Sequence, residues 1–166
     1  MFISIESSSS DLSVALLGKE RLIDSLTVPI KNELSEIIIP TIKFFLSHNG
    51  ITFKDISTLV IGCGPGSFTV IRVVVAAAKG IKISNVYMKV IGINSLAALA
   101  MSAEEEAREK NCRYIISSID TKRGDIFAQT FEVNNIVKSE FPFSAINEIE
   151  ILEIQYLKNY LSTHKL

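Results

Sequence analysis

The chain has 166 residues, 48% hydrophobic and 21% charged, enough apolar material for one or two packed domains and too much for a disordered segment. Seventeen Lys and Arg against eighteen Asp and Glu give a net charge of -1 without any basic arm, which argues against a protein that grips nucleic acid alone through its phosphates. The apolar runs are too short and too rich in Gly and Ser to span a bilayer, and the first ten residues lack the basic start and apolar stretch of a secretory signal. Cys63 and Cys112 make one pair at most, so the expectation is a cytoplasmic protein with both thiols reduced and no contact with a membrane.

In chain order, Phe2, Ile3 and Ile5, then Leu12, Val14 and Leu16, then Leu22, Ile23 and Leu26 predict three short strands, the last two joined by a turn at Gly18 to Glu20. From Glu33 to His48 apolar residues recur at helical spacing, with Pro40 as a bend and Asn49 and Gly50 as the stop. Leu59 to Cys63 reads as a buried strand that runs into Gly64, Pro65 and Gly66, where Ser67 or Thr69 is placed to cap a helix reaching Ser84. The β-branched Val70, Ile71, Val73, Val74 and Val75 favour a strand, whereas the length of the segment and the run Ala76, Ala77, Ala78, Lys79 favour the helix.

Lys89 to Ile93 follows as a strand, and Asn94 or Ser95 opens a helix to about Lys110. Tyr114 to Ile119 and Ile126 to Phe131 predict two strands joined by Asp120 to Gly124, a third is offered by Ile136 to Glu140, and Glu148 to Tyr160 is left as a closing helix. The order of elements starts again near Lys110. The fold class is therefore α/β, as two related lobes with mixed sheets, residues 1-109 and a short second lobe, residues 110-166.

Gly62, Gly64 and Gly66 between a strand and a helix permit close backbone approach, and the helix N-terminal amides with Ser67 and Thr69 form a candidate phosphate site. The loop is neither a Walker loop nor a dinucleotide fingerprint, and a tight structural turn is the competing reading. Arg123, with Lys122, sits in a turn suited to phosphate or tRNA, or to a solvated hairpin tip.

Carboxylates at strand ends, Glu6, Asp11 and Asp120, offer a Mg²⁺-holding set if the fold gathers them; spacing alone leaves them apart. Cys63 lacks a linked base in His48 or His164, and no metal-ligand spacing is visible.

The helices carry surplus apolar surface. At about 100° per residue, Leu34, Ile37, Ile38, Ile39, Ile42, Phe44, Phe45 and Leu46 cover roughly 220° of the first, about twice what one core face needs. The second confines Arg72, Lys79 and Lys82 to one stripe, while Ala76, Ala77, Ala78 and Gly80 admit another helix. A partner seam is expected on Leu34, Ile38, Ile42, Phe45, Arg72, Val73, Ala76, Ala77 and Gly80; the alternative is two helices buried wholly in one core.

The run Gly62, Gly64, Pro65, Gly66, Ser67, Phe68, Thr69 and Arg72, followed by Ala78, Lys79 and Gly80, resembles the hallmark of the bacterial tRNA threonylcarbamoyladenosine biosynthesis family TsaB, also called YeaZ. Ile5, Glu6, Ser7 and Ser8, then Gly92 to Leu96, and Asp120 to Phe127 are similar to three further elements of that family, so the resemblance runs from residue 2 to about 131. Val70 and Val74 stand where the family has glycine, Glu6 where it has aspartate, and Leu34 where a histidine is frequent.

The resemblance implies an actin-like ATPase fold of two ribonuclease-H-like lobes without catalysis of its own. It implies a scaffold and activator that pairs with the transferase TsaD, enables binding of the ATPase TsaE and meets tRNA through the complex, with a homodimer as a further option for the chain alone. No cofactor is required on this reading, ATP or ADP being an optional occupant of the partner interface. The rival is an actin-like ATPase or kinase, with Gly64 to Thr69 on phosphate.

Overall fold

The computed structural model describes residues 1-7, 10-19, 21-31, 33-121, 123-136 and 150-153. The chain divides into two units, Met1–Ile93 and Asn94–Leu166.

In the first unit the alternating segments at the start form β1 (Phe2–Glu6), β2 (Asp11–Leu17) and β3 (Leu22–Pro29), and the sheet is completed by β4 (Thr58–Gly62) and β5 (Lys89–Ile93). The strand order is β3-β2-β1-β4-β5, antiparallel among the first three and parallel for β1 with β4 and β4 with β5. Register sets Ile3 between Leu16 and Leu59, and Ile5 between Val14 and Ile61, so the side-chain alternation of each strand gathers one apolar face. All six of these side chains are buried.

Two crossovers cover that face: α1 (Leu34–His48), between β3 and β4, and α2 (Phe68–Ser84), between β4 and β5. Ile38, Ile42, Phe45 and Leu46 of α1 and Val74, Ala78 and Ile81 of α2 join the strand residues in one core. Helix α1 stops at Asn49, whose side-chain amide donates to the Phe45 carbonyl at 3.0 Å and to Asp24 Oδ2 at 2.8 Å, tying the helix end to β3. The first of these bonds adds to the Asn49 backbone N–H, which reaches the same carbonyl at 3.3 Å, so the last turn is closed from both the main chain and the side chain. At the sheet's outer edge every residue of β5 is exposed.

The second unit holds α3 (Ser95–Ser102), α4 (Glu104–Glu109), β6 (Tyr114–Asp120), β7 (Asp125–Glu132) and β8 (Glu150–Glu153), with an antiparallel sheet in the order β6-β7-β8. Of the two openings expected, Asn94 or Ser95, Asn94 is the cap: its side-chain oxygen accepts the N–H groups of Leu96 at 2.7 Å and Ala97 at 3.3 Å. The single helix expected to run to Lys110 is two, meeting at Ala103.

The division between the units falls at Ile93 and Asn94 rather than near Lys110. The reason is packing, because Leu96 and Ala100 of α3 form a core with Phe131 and Ile136, which commits the helix to the second sheet. The expected closing helix at Glu148 to Tyr160 is also corrected, since Glu150–Glu153 pairs with β7, Asp125 opposite Glu153 and Ala128 opposite Glu150. Strand β7 has an edge to satisfy, and a ladder does so where a helix would not. The rest of that segment, and all but Ile136 of the strand expected at Ile136 to Glu140, lie outside the described residues. Among the described residues no helix is long and apolar enough to cross a membrane.

Ile42 is fully buried in the layer between α1 and the sheet. Replacement by Ala is expected to lower unfolding stability by about 2–5 kcal/mol, read from denaturant melts of the two chains side by side.

Candidate glycine loop and partner-binding face

The parallel pairing of β1 with β4 brings Glu6, the last residue of β1, beside Gly62, the last of β4. A Cβ at Gly62 would lie 1.9 Å from Oε2 of Glu6, so the glutamate side chain lies flat on the glycine. Glu6 Oε1 also accepts the Ser7 N–H at 2.9 Å. Beyond the strand, Gly64 has a φ of +85°, a conformation that favours glycine, and a Cβ there would displace the Ile71 Cδ1 methyl, 2.5 Å away. The glycine at this position is thus required by the turn itself. The Gly64–Pro65 peptide is cis.

Of the expected phosphate contacts, Gly64, Gly66, Ser67 and Thr69 lie together in the turn and at the start of α2. Ser67 occupies the cap position, yet its side chain makes no capping hydrogen bond, and Thr69 is an exposed residue of the first turn. Arg123 belongs to the β6–β7 turn of the second unit, where its N–H donates to Thr121 Oγ1 at 3.2 Å. Asp120 ends β6 in that unit, whereas Asp11 opens β2 in the first. Among the described residues no group of three or more His, Cys, Asp and Glu is placed to hold a metal ion.

Cys63 sits in the loop with its N–H donated to the Ile93 carbonyl at 2.8 Å. Burial pushes its thiol pKa up, and the negative charge of Glu6 pushes it further the same way. His48 is the last residue of α1, its ring stacked on Phe44 at 6.2 Å. The thiol is therefore held protonated at neutral pH, the opposite of what a nucleophile needs.

The expected partner seam separates into two groups. Leu34, Ile38, Ile42 and Phe45 are 0–5% exposed and belong to the core, so the inward stripe of α1 serves the sheet and not a partner. Its flanking Ile37 and Ile39 pack against the same core, which absorbs much of the wide apolar arc. Val73 and Ala77 of α2 are half-buried against the core as well.

Arg72, Ala76 and Gly80 are exposed, one turn apart along the outward side of α2, opposite the buried Val74, Ala78 and Ile81. Ile71, Arg72, Val75, Ala76 and Lys79 line a shallow groove there, and Phe68 and Ile83 stand 73% and 79% exposed toward the two ends of the helix. Phe68, Val75, Lys79 and Ile83 complete this face without having been singled out as seam residues. A wheel centred on Val74 would have placed Lys79 and Ile83 outward, since each lies far from 0° on a 100° rotation.

The two cysteines provide a direct check. At neutral pH iodoacetamide is expected to label the exposed Cys112 well ahead of Cys63, with Cys63 catching up as pH rises toward its elevated pKa; peptide masses over a pH series read this out.

A family model, TsaD: tRNA N6-adenosine threonylcarbamoyltransferase, matches residues 29–147. The chain is 33% identical to the tRNA threonylcarbamoyladenosine biosynthesis protein TsaB of Buchnera aphidicola subsp. Acyrthosiphon pisum, over 95% of this chain and 71% of that protein. It is 30% identical to the TsaB of subsp. Schizaphis graminum over 81% of its own length, and spans only 62% of that relative. Among solved structures, YeaZ from Pseudomonas aeruginosa superposes with a TM-score of 0.66 at 19% identity, covering 90% of this chain and 63% of that one. A ROK hexokinase from Thermus thermophilus superposes with a TM-score of 0.52 at 12% identity, over 86% of this chain and 49% of its own. The sheet order, the two crossover helices and these likenesses give an actin-like ATPase fold, and the chain belongs to the TsaB (YeaZ) family.

Proposed function

We propose that this chain acts in tRNA threonylcarbamoyladenosine biosynthesis as a non-catalytic companion of a TsaD-type transferase, docking through the outward face of α2. A TsaE-type ATPase and the tRNA substrate meet it through that assembly. The observation that carries the reading is Gly80. It lies in the interior of α2, a Cβ there would meet no described atom within 4 Å, and glycine in such a position costs a helix about 1 kcal/mol relative to alanine. The described part of the chain gives no reason for the missing side chain, whereas close approach by another helix does.

The absence of a catalytic role is supported by the loop. Glu6 lays a carboxylate on the strand end beside the turn where a phosphate would have to arrive, and the one thiol nearby is held protonated. ATP or ADP would then enter, if at all, as a shared occupant of the assembled interface, and ATP hydrolysis by the isolated chain would speak for the kinase-like reading instead.

Two substitutions test the docking face. Ala76→Glu, at an exposed position, is expected to leave the melting of the isolated chain unchanged and to weaken co-purification with the transferase tenfold or more, because it buries a charge in the seam. Gly80→Ala is expected to raise the stability of the isolated chain by about 1 kcal/mol while weakening the association. Undiminished transferase binding by Ala76→Glu would remove the proposal.

A further inference from the structure

Helix α1 ends on two residues with separate duties. Gly50, at a φ of +68°, is the left-handed residue just past the cap. Its N–H donates to the Ser47 carbonyl at 3.0 Å, and the Ile51 N–H reaches back to the Leu46 carbonyl at 3.0 Å, the paired bonds that close a helix around such a residue. Asn49 supplies the carboxamide that donates to Asp24 Oδ2 at 2.8 Å and to the Phe45 carbonyl at 3.0 Å. The helix end therefore asks for an asparagine followed by a glycine, and the chain contains this pair nowhere else. It is also a chemically labile pair, because a residue without Cβ leaves its backbone nitrogen open to the preceding side-chain carbonyl.

We infer that Asn49 is a site of spontaneous modification, kept intact by the geometry of the helix end and, once converted, releasing α1 from β3. In the reaction the Gly50 nitrogen bonds to Asn49 Cγ and closes a cyclic imide, while the bond from Cγ to the amide nitrogen breaks and ammonia leaves with the Gly50 proton. Water then opens the imide. Attack at Cγ gives aspartate in a normal chain, and attack at the backbone carbonyl gives isoaspartate, which routes the main chain through the side-chain carbon.

Ring closure needs the Gly50 nitrogen eclipsed with Cβ about the Cα–C bond of Asn49. At a ψ of 7° that nitrogen is eclipsed with the Asn49 nitrogen instead, a third of a turn away, and hydrogen bonds hold both reacting groups there. The product suits the place badly. A carboxylate has no proton to donate where the amide donated two, and it would face the Asp24 carboxylate, the Phe45 carbonyl and the negative end of the helix. The Asn49 hydrogen bond is also the main reason that the Asp24 carboxyl sits below its usual pKa, so conversion removes the group that favours its charge. Isoaspartate in addition displaces Gly50 and Ile51 from the Ser47 and Leu46 carbonyls.

The test follows the full chain at neutral pH, folded and in urea, by the mass of the peptide that carries Asn49. Conversion is expected in urea and to be about tenfold slower or more in the folded chain, where it waits on local opening of the helix end. Asp24→Ala, which removes one of the holds, is expected to speed conversion in the folded chain and leave the rate in urea unchanged. Asn49→Asp is expected to lower the urea midpoint, and adding Asp24→Asn to restore most of the loss, since the new amide donates to the new carboxylate. Should Asn49→Asp fail to fold, recovery of folding in the double variant gives the same reading.

No conversion at Asn49 in urea, or equal rates folded and unfolded, would overturn the guarded site. An unchanged midpoint for Asn49→Asp, or a double variant no more stable than the single one, would overturn the release of α1 through Asp24.

Discussion

A five-stranded sheet with Ile3, Ile5, Leu12, Val14, Leu16, Leu59 and Ile61 turned to one side must have that side covered, and in this chain α1 and α2 do the covering. Everything else in the first unit follows from how those two helices divide their surfaces. Helix α1 commits its main stripe inward and keeps Phe44 as its large exposed apolar residue. Helix α2 is apolar nearly all round, so committing Val74, Ala78 and Ile81 to the sheet leaves a second, smaller-featured face outside. The outward face of α2 is the remainder of a core-packing problem rather than an addition to it.

The turn that launches α2 is governed by the parallel pairing of β1 and β4. Their ends arrive side by side, which forces Glu6 and Gly62 into contact and makes a side chain at residue 62 incompatible with the glutamate as it stands. Gly64 is needed for its positive φ, and a side chain there would also have to push the tip of Ile71 aside. Four of the five residues expected to hold phosphate do gather there, beside the Glu6 carboxylate on the strand end and the Cys63 thiol, whose proton burial and that carboxylate help to retain.

The alternation of Leu12, Val14 and Leu16 was readable because β2 has one buried face, and the helical period of α1 was readable because its core residues repeat at 34, 38, 42 and 45. The direction in which that stripe points was not. A wide apolar arc looks the same whether a partner or the flanks of the core absorb it, and Ile37 and Ile39 turn out to be taken up by the core. The unit boundary escaped for a different reason: Leu96 and Ala100 are held by Phe131 and Ile136, contacts too distant in sequence for any local pattern to announce. At Glu150–Glu153 four residues are too few to establish a period, and an open strand edge settled the matter. Asn94 and Ser67, both good capping types, were equivalent on paper. In the fold the first bonds two backbone N–H groups and the second bonds none.

Strand β5 closes the sheet with all five residues accessible, Val90, Ile91 and Ile93 among them, and Val86 and Tyr87, separated from it by the buried Met88, are exposed at 67% and 92%. Lys89 is its single charge. An edge of this kind offers backbone donors and acceptors in a row to any extended chain that drifts past, with little charge to repel it. An accessible edge of this kind makes strand-to-strand pairing between copies the expected route to association as concentration rises.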